Sequence, residues 1–496
     1  MRKIISSLYI AAGCLFMLAA CKDLNVSPTD KLPRTIFWKS EGDADFALTG
    51  LYNFLYMPGG NWSCSQYYVF AWDTYTDDAY SQHDYGGGRS AGSSGLTPNT
   101  KAYVESYYTN NYKAIAAANH FLANVDKVIS GDKLKRYKAE AYFLRAFNYF
   151  WLAQLYGNVP IVKADPYTVD YTSIMGKSTR EEVLAFIRED LDIAIAGLPD
   201  VGYTTGHAVK GTAQGYKVRV LLFEKKYAEA AALAKQIIDD NKFFLNDNYL
   251  ANFYKPAQNS SKEIMFSVKY LLPNITHQDV PLVAPMHRWK GYMGTQDLIN
   301  EYEVNDPRKT MTWFFPGDTK AQGWPFTGDL SVATPGMDGW IQGYYTPRKW
   351  LPPGLEDPTT GTLVDNDFVL MRFADIKLMY AEAQNEAVGA DASVYKQINE
   401  VRARTGVNMP ELPAGLSKDQ MREKIRHERR VEFALEGLRY FDLRRWGIAT
   451  QKLNGFVSNP LAPNIKLKYE DKYQYWPIPQ TEIDRNTPAL KQNPDY

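Results

Sequence analysis

Small residues recur seven apart at Ala139, Ala146 and Ala153, and Tyr142, Phe143, Tyr149 and Phe150 fill out the same broad face. That spacing predicts a helix over 136–156 packed closely on a neighbour. Its predicted partner covers 179–196, where Val183, Ile187, Leu191 and Ile195 stand four apart. The pattern recurs over 211–223 and 227–239, joined by the short turn Glu224-Lys225-Lys226, with Tyr227, Ala231, Ala234 and Ile238 along one side. A third pair is predicted over 372–387, carrying Ile376, Met379, Tyr380 and Ala383, and 392–404, carrying Val394, Ile398 and Val401. An earlier helix over 101–128 adds Tyr108, Ile115, Ala118 and Leu122.

Helix pairs of this length, with alanines at the close contacts, resemble tetratricopeptide units stacked as a superhelix. The alternative that periodicity alone leaves open is an ordinary irregular helical domain. The pattern lapses twice. From 270 to 367 the chain is rich in Pro, Gly, Thr and aromatics without a sustained helical period. Five of the 11 tryptophans, Trp289, Trp313, Trp324, Trp340 and Trp350, fall there, which a disordered linker would not carry. It reads as an inserted lobe packed on the helices. A second irregular stretch, 58–99, carries Trp62, Trp72, Tyr75, Tyr80 and Tyr85 beside Gly86-Gly87-Gly88. The expected fold is predominantly all-α: helical hairpins over about 101–240 and 368–446, with the two irregular stretches as loops.

The amino terminus changes the picture of where this body works. Arg2 and Lys3, an apolar run over 4–18 and Leu18-Ala19-Ala20-Cys21 make a signal peptide that ends in a lipobox. A run of about fifteen residues is too short to span a bilayer. Cleavage after Ala20 leaves Cys21 to carry acyl chains, and two or more chains give a stable anchor. Residues 21–35 read as a polar, proline-containing tether, 36–496 as one domain, and the Lys-Asp pair after Cys21 resembles a surface-export signal. Cys64 is then the only remaining thiol, so the exported body stands without an internal disulfide. Net charge is 0, which gives no basic field for nucleic acid. The unusual quantity is the aromatic content, 14% of the chain, since exposed rings need something to stack on.

Enzyme chemistry finds little to work with. His427-Glu428-Arg429-Arg430-Val431 begins like a zinc-protease helix, but Val431 occupies the place of the second histidine. Asp73, Asp77 and Asp78 suggest paired carboxylates for glycoside hydrolysis. The plainer reading is that Asp77 and Asp78 cap a helix or satisfy a turn. No EF-hand spacing, nucleophile elbow or phosphate loop appears, and Gly86 to Gly88 lack a following lysine. Catalytic residues, metal and cofactor are therefore all expected to be none. The charged run 428–445 reads as scaffold, with Arg429 meeting Glu432 and Arg439 meeting Glu436 at helical spacing. Ser417 and Gln420 form a capping box that starts its helix, and Gly437 interrupts it.

The run from Glu428 to Trp446, Glu-Arg-Arg-Val-Glu-Phe-Ala-Leu-Glu-Gly-Leu-Arg-Tyr-Phe-Asp-Leu-Arg-Arg-Trp, resembles the signature of SusD/RagB-family surface lipoproteins. Asn119-His120-Phe121-Leu122, the stretch 139–160, Asp306-Pro307-Arg308 and 372–386 agree in order. So do Trp476-Pro477-Ile478-Pro479, Glu482, Asn486 and Gln492-Asn493-Pro494, with Asp495 where a glycine is usual. The resemblance implies four tetratricopeptide-like hairpins and an outer-membrane lid on a SusC-like, TonB-dependent transporter, capturing nutrients that are usually oligosaccharides. The matched motifs build the frame, and ligand residues in such proteins come from variable loops.

Sugar rings stack their apolar faces on Tyr and Trp while a few polar groups read the hydroxyls. The candidate binding residues are accordingly Tyr80, His83 and Tyr85 from the first loop region and Trp289, Trp324 and Trp340 from the second. Trp72 and Trp350 read as structural, Trp350 following Tyr344-Tyr345 in a strand that leads into the last hairpin. Trp151, Trp446 and Trp476 are assigned to the core. Peptide capture, as in some family members, is the alternative reading, and a surface glycoside hydrolase a remote one.

Overall fold

The computed structural model describes residues 37–56, 72–81, 92, 95–100, 104–168, 175–277, 292–315, 318, 345–351, 363–458 and 466–496. In chain order its longer helices before the lobe are α1 (Glu41–Asn53), α2 (Ser106–Asn124), α3 (Gly131–Tyr156), α4 (Arg180–Gly197), α5 (Lys210–Phe223) and α6 (Tyr227–Asp239). Within the lobe lie α7 (Gln296–Glu301) and α8 (Arg308–Thr312); after it come α9 (Phe373–Ala387), α10 (Ala392–Arg402), α11 (Lys418–Glu432) and α12 (Arg439–Arg445). Short strands β1 (Ala79–Ser81), β2 (Ile264–Val268), β3 (Tyr292–Gly294), β4 (Trp313–Phe314), β5 (Thr346–Pro347) and β6 (Phe368–Arg372) form three separate two-stranded ladders.

The predicted hairpins form. α3 packs on α4, α5 on α6 and α9 on α10. The close contact expected from small residues is visible where α4 ends: a Cβ on Gly197 would stand 2.7 Å from that of Ala139. The expected single broad face of α3 is instead a surface buried nearly all round. α2 and α4 flank it, Phe143 and Phe147 meet Tyr216 and Phe266, and Tyr149 meets Phe186, so a central helix needs apolar residues on every side. Of the helix expected over 101–128, the described residues show α2, Ser106–Asn124, followed by a 3-10 turn at Val125–Lys127.

β2 and β6 explain why the lobe is an insertion. They pair antiparallel from Ile264↔Arg372 to Val268↔Phe368, fully buried, so the chain leaves the frame and returns to it at paired positions. β6, and not the stretch before Trp350, is the strand that leads into the last hairpin. Trp350 follows β5 instead and is wholly buried, its Nε1 donating to Leu435 O at 3.0 Å. Trp72 is the hub of an aromatic core, within 5.0 to 5.6 Å of Tyr107, Trp151, Tyr440, Phe441 and Trp476. Trp476 is core as expected, whereas Trp151 and Trp446 are only part-buried.

The signature run departs from helical spacing. α11 begins on the expected capping box, Ser417 Oγ accepting from Gln420 N at 3.2 Å. It stops at Glu432, before Gly437, and Leu435 (φ 63) and Gly437 (φ 70) both adopt left-handed backbone. The expected pairs do not form: Arg439–Glu436 falls across the turn, and Arg429–Glu432, although within α11, gives way to partners from other elements. Arg429 donates to Asp375 and Asp442, and Arg439 to Asp77, while Glu432 and Glu436 both receive Arg372. Arg308 of the Asp306-Pro307-Arg308 motif is fully buried and bonds Asp306, Glu428 and Glu432 at 2.6 to 2.9 Å. The charged residues of the signature are thus largely an interior network of opposite charges, with Arg444 instead donating to the carbonyls of Gln154 and Gln474, and such pairing is the condition for burying them.

Candidate ligand-binding site

The two aromatic loop regions are rooted on one patch of backbone. β1 pairs antiparallel with β3 in the register Ala79↔Gly294, Tyr80↔Met293 and Ser81↔Tyr292. The chain that follows Ser81 and the chain that precedes Tyr292 therefore start from partnered positions. β4 pairs with β5, Trp313↔Pro347 and Phe314↔Thr346, so the second region also departs and returns on one ladder. The two ladders touch: Gly294 N donates to Tyr345 O at 2.9 Å, and Tyr345 Oη donates to Gln296 Oε1 at 2.6 Å. Glycine is required at this junction, because a Cβ on Gly294 would lie 2.9 Å from the Trp313 ring.

Beneath the β1–β3 ladder the signature arginines hold its ends. Arg430 Nε donates to Asp78 Oδ1 at 2.7 Å, and its Nη2 donates to Asp77 O at 3.0 Å and Asp297 Oδ2 at 2.7 Å. Arg439 grips Asp77 through two bonds of 2.7 and 2.9 Å. Asp77 and Asp78 immediately precede β1, and Asp297 lies on α7, just after β3. The expectation that Asp77 and Asp78 cap a helix or serve a turn is corrected: both carboxylates are buried and take arginines from more than 350 residues away. Thr295, between β3 and α7, completes the joint, its N donating to Asp78 O at 3.0 Å.

The electrostatics follow from that burial. Burial pushes Asp78 up to about 6 even though Arg430 and Arg439 pull the other way. Burial also works to raise Asp77, but the Arg439 hydrogen bonds and the two guanidinium charges outweigh it and hold its carboxyl below the usual range. The His427 hydrogen bond and the charge of Arg430 hold Glu301 down, to about 2. His427 Nδ1 lies 2.7 Å from Glu301 Oε1, so the histidine of the protease-like run is taken up in the frame.

Of the six candidate ligand residues, Tyr80 lies in β1, half-buried opposite Met293. His83, Tyr85, Trp289, Trp324 and Trp340 lie outside the described residues, as does Cys21. Phe315 and Tyr345 are half-buried rings 5.2 Å apart edge to face at the second ladder; the sequence reading named Tyr345 only as part of a strand and did not single out Phe315. Their position beside a two-residue strand leaves no period to find them by. It also missed the clamp, although an arginine-rich signature facing carboxylates in a variable stretch is a signal for one.

A family model described as the SusD family matches residues 226–496, and a second, described as starch-binding and associating with the outer membrane, matches 57–222. The SusD-like protein P2 of Formosa agariphila is 24% identical over 510 residues, 97% of this chain and 98% of the relative. A SusD-like carbohydrate binding protein from Bacteroides fragilis has the same fold, with a TM-score of 0.79 at 24% identity over 92% of this chain and all of that one. Surface glycan-binding protein A from Bacteroides fluxus gives 0.71 at 23% identity, with 92% of this chain and 100% of that one covered. With the first family model spanning more than half of the sequence, including the arginine clamp and the last helical hairpin, this chain belongs to the SusD family.

Proposed function

We propose that this protein is a non-catalytic, cell-surface carbohydrate-binding lipoprotein, anchored in the outer membrane through Cys21, that captures oligosaccharide and delivers it to a SusC-like TonB-dependent transporter. The observation that carries the reading is the shared root of the two aromatic regions. His83 is two residues beyond Ser81, and Trp289 three before its partnered Tyr292. The Arg430 clamp makes that root rigid, which is what a stacking platform needs in order to present rings in a fixed geometry. The printed names of the glycan-binding relatives favour the same ligand class.

Stacking on a few open rings predicts Kd values from millimolar to micromolar, about −4 to −8 kcal/mol. The test is native electrophoresis of protein beginning at Lys22, without the anchor, in gels cast with a panel of polysaccharides. Retardation by a glycan that disappears in Trp289→Ala and Trp324→Ala, with melting temperature unchanged, is expected. Full retardation of both variants would remove the platform from these loops. No retardation by any polysaccharide would move peptides to the front, and release of shortened products would overturn the non-catalytic assignment.

A further inference from the structure

Asp73, Asp77 and Asp78 stand just before β1, and all three are buried. Carboxylates this close in a dry interior repel one another, so each has to be met by a cation or carry a proton. The guanidiniums that face them come from Arg430 on α11 and Arg439 on α12. Lys349, after β5, feels the charge of Asp73 but is bonded to Glu436 and to the carbonyls of Glu432 and Ala434. α7 sets two more acids on Arg430, Asp297 at 2.7 Å and Glu301 at 3.2 Å, and Glu301 also holds His427. Among the described residues, then, the acids Asp73, Asp77, Asp78, Asp297 and Glu301 share the charges of Arg430 and Arg439, and the cluster is short of positive charge.

The geometry says where the shortage falls. Asp77 takes both bonds from Arg439 and stays ionised. Asp73 is bonded by the backbone at Leu435 and Gly437, and burial together with the charge of Asp78 holds its carboxyl well above the usual range. Asp78 lies between the two cases. It accepts from Arg430 Nε at 2.7 Å, but Arg439 comes no nearer than 3.9 Å and Asp77 is its neighbour, so burial prevails and lifts it to about 6. A proton there costs Arg430 little: a carboxylic acid keeps acceptor capacity for Nε, and Asp77, Asp297 and Glu301 remain as counter-charges. What disappears is the repulsion from Asp77 and the cost of burying a second charge. Asp78 also leads directly into β1, and its backbone O accepts from Thr295 N at 3.0 Å, so its side chain cannot reach water unless the β1–β3 ladder gives way. Once in water it releases its proton near 3.8. The closed ladder therefore binds the proton more tightly than the open one, and acid favours closure.

We propose that Asp78 is a proton switch at the root of the two aromatic regions: taking up a proton in mild acid tightens the β1–β3 ladder, and releasing it at neutral pH loosens the ladder. The consequence for ligand capture rests on the carbohydrate function proposed above, whereas the response of the ladder itself does not.

Hydrogen exchange read by mass spectrometry on protein beginning at Lys22, at pH 7, 6 and 5 and corrected for intrinsic exchange rates, tests it. In the segments that carry Ala79–Ser81 and Tyr292–Gly294, the opening equilibrium is expected to be about tenfold smaller at pH 5 than at pH 7. Asp78→Asn, which keeps the side-chain shape and cannot ionise, should be as protected at pH 7 as the wild type at pH 5, and should not change with pH. Both proteins carry the other titrating groups, so the difference between them isolates Asp78. If the variant does not fold, the β2–β6 ladder of the wild type, which Asp78 does not touch, serves as the internal reference. Protection of β1–β3 that is flat with pH, that falls on acidification in step with β2–β6, or that keeps its pH dependence in Asp78→Asn would overturn the switch. The exchange measurement needs no ligand, so absence of polysaccharide retardation would count against the carbohydrate reading alone.

Discussion

His277 is buried at the root of the lobe, its backbone bridged to Val364 and its Nε2 donating to Asn366 O at 2.8 Å. Burial pushes its pKa down to about 4, against the Asn366 hydrogen bond and the nearby Asp365 and Asp367, which favour the cation. The unfolded chain binds this proton near 6.5 and the folded one only near 4, so the stability conferred by the neutral form is complete above 6.5 and is lost as pH falls through that window. Denaturant midpoints at pH 7, 6 and 5 should fall more steeply for the wild type than for His277→Gln, the difference approaching about 1.4 kcal/mol per pH unit. Equal slopes would show that the imidazole is protonated in the fold. Asp495 makes a second point about single residues: its φ of 68 is the left-handed conformation for which glycine is the easier choice. The family's usual glycine at this place thus has a backbone reason, and aspartate is among the residues that tolerate it.

At the scale of elements, the helices were legible because period and caps are local. α6 runs over the expected residues, and α3, α4, α5, α9 and α11 begin or end within a few residues of expectation. The short ladders were not legible, since two or three residues carry no period and their pairing is decided by partners far along the chain. Gly294 illustrates the difference. Nothing nearby in sequence requires it, yet its β3 position lies against the Trp313 ring of β4 and donates to Tyr345 O. Gly294→Ala forces ring and backbone apart and should lower the unfolding free energy by about 1–3 kcal/mol, read from denaturant midpoints. A cost below a few tenths of that would mean the ladders can separate without loss.

Across the whole molecule, the network that begins at the Arg430 clamp joins segments that no local rule connects. Arg430 is 6% exposed and holds Asp78, Asp77 and Asp297 at once, so Arg430→Ala leaves the buried Asp78 without its hydrogen-bonding arginine, while Asp77 keeps Arg439. The expected cost is about 3–5 kcal/mol, and because the clamp sits under the β1–β3 ladder, polysaccharide retardation should weaken along with it. Loop variants such as Trp324→Ala should separate these effects, losing retardation at unchanged stability. If Arg430→Ala melted like the wild type, the clamp would contribute nothing to the frame. The closing segment is tied down in the same long-range way: Trp476 N donates to Leu155 O at 2.6 Å, and Asn493 Nδ2 donates to Tyr156 O at 2.8 Å.

The amino-acid sequence by itself determined the helical hairpins, the place of the insertion, the structural tryptophans Trp72 and Trp350 and the resemblance to the SusD family, because each rests on local periodicity, composition or a contiguous motif. Only the tertiary structure decided that the signature arginines reach Asp77 and Asp78 instead of their helical neighbours, and that the two aromatic regions share one root. Helical spacing predicts ion pairs only while the helix lasts, which ends at Glu432, and even inside it Arg429 is claimed by Asp375 and Asp442 rather than by Glu432. Once the backbone turns, a buried charge takes whichever opposite charge the fold brings within reach, and sequence distance no longer says which one that is.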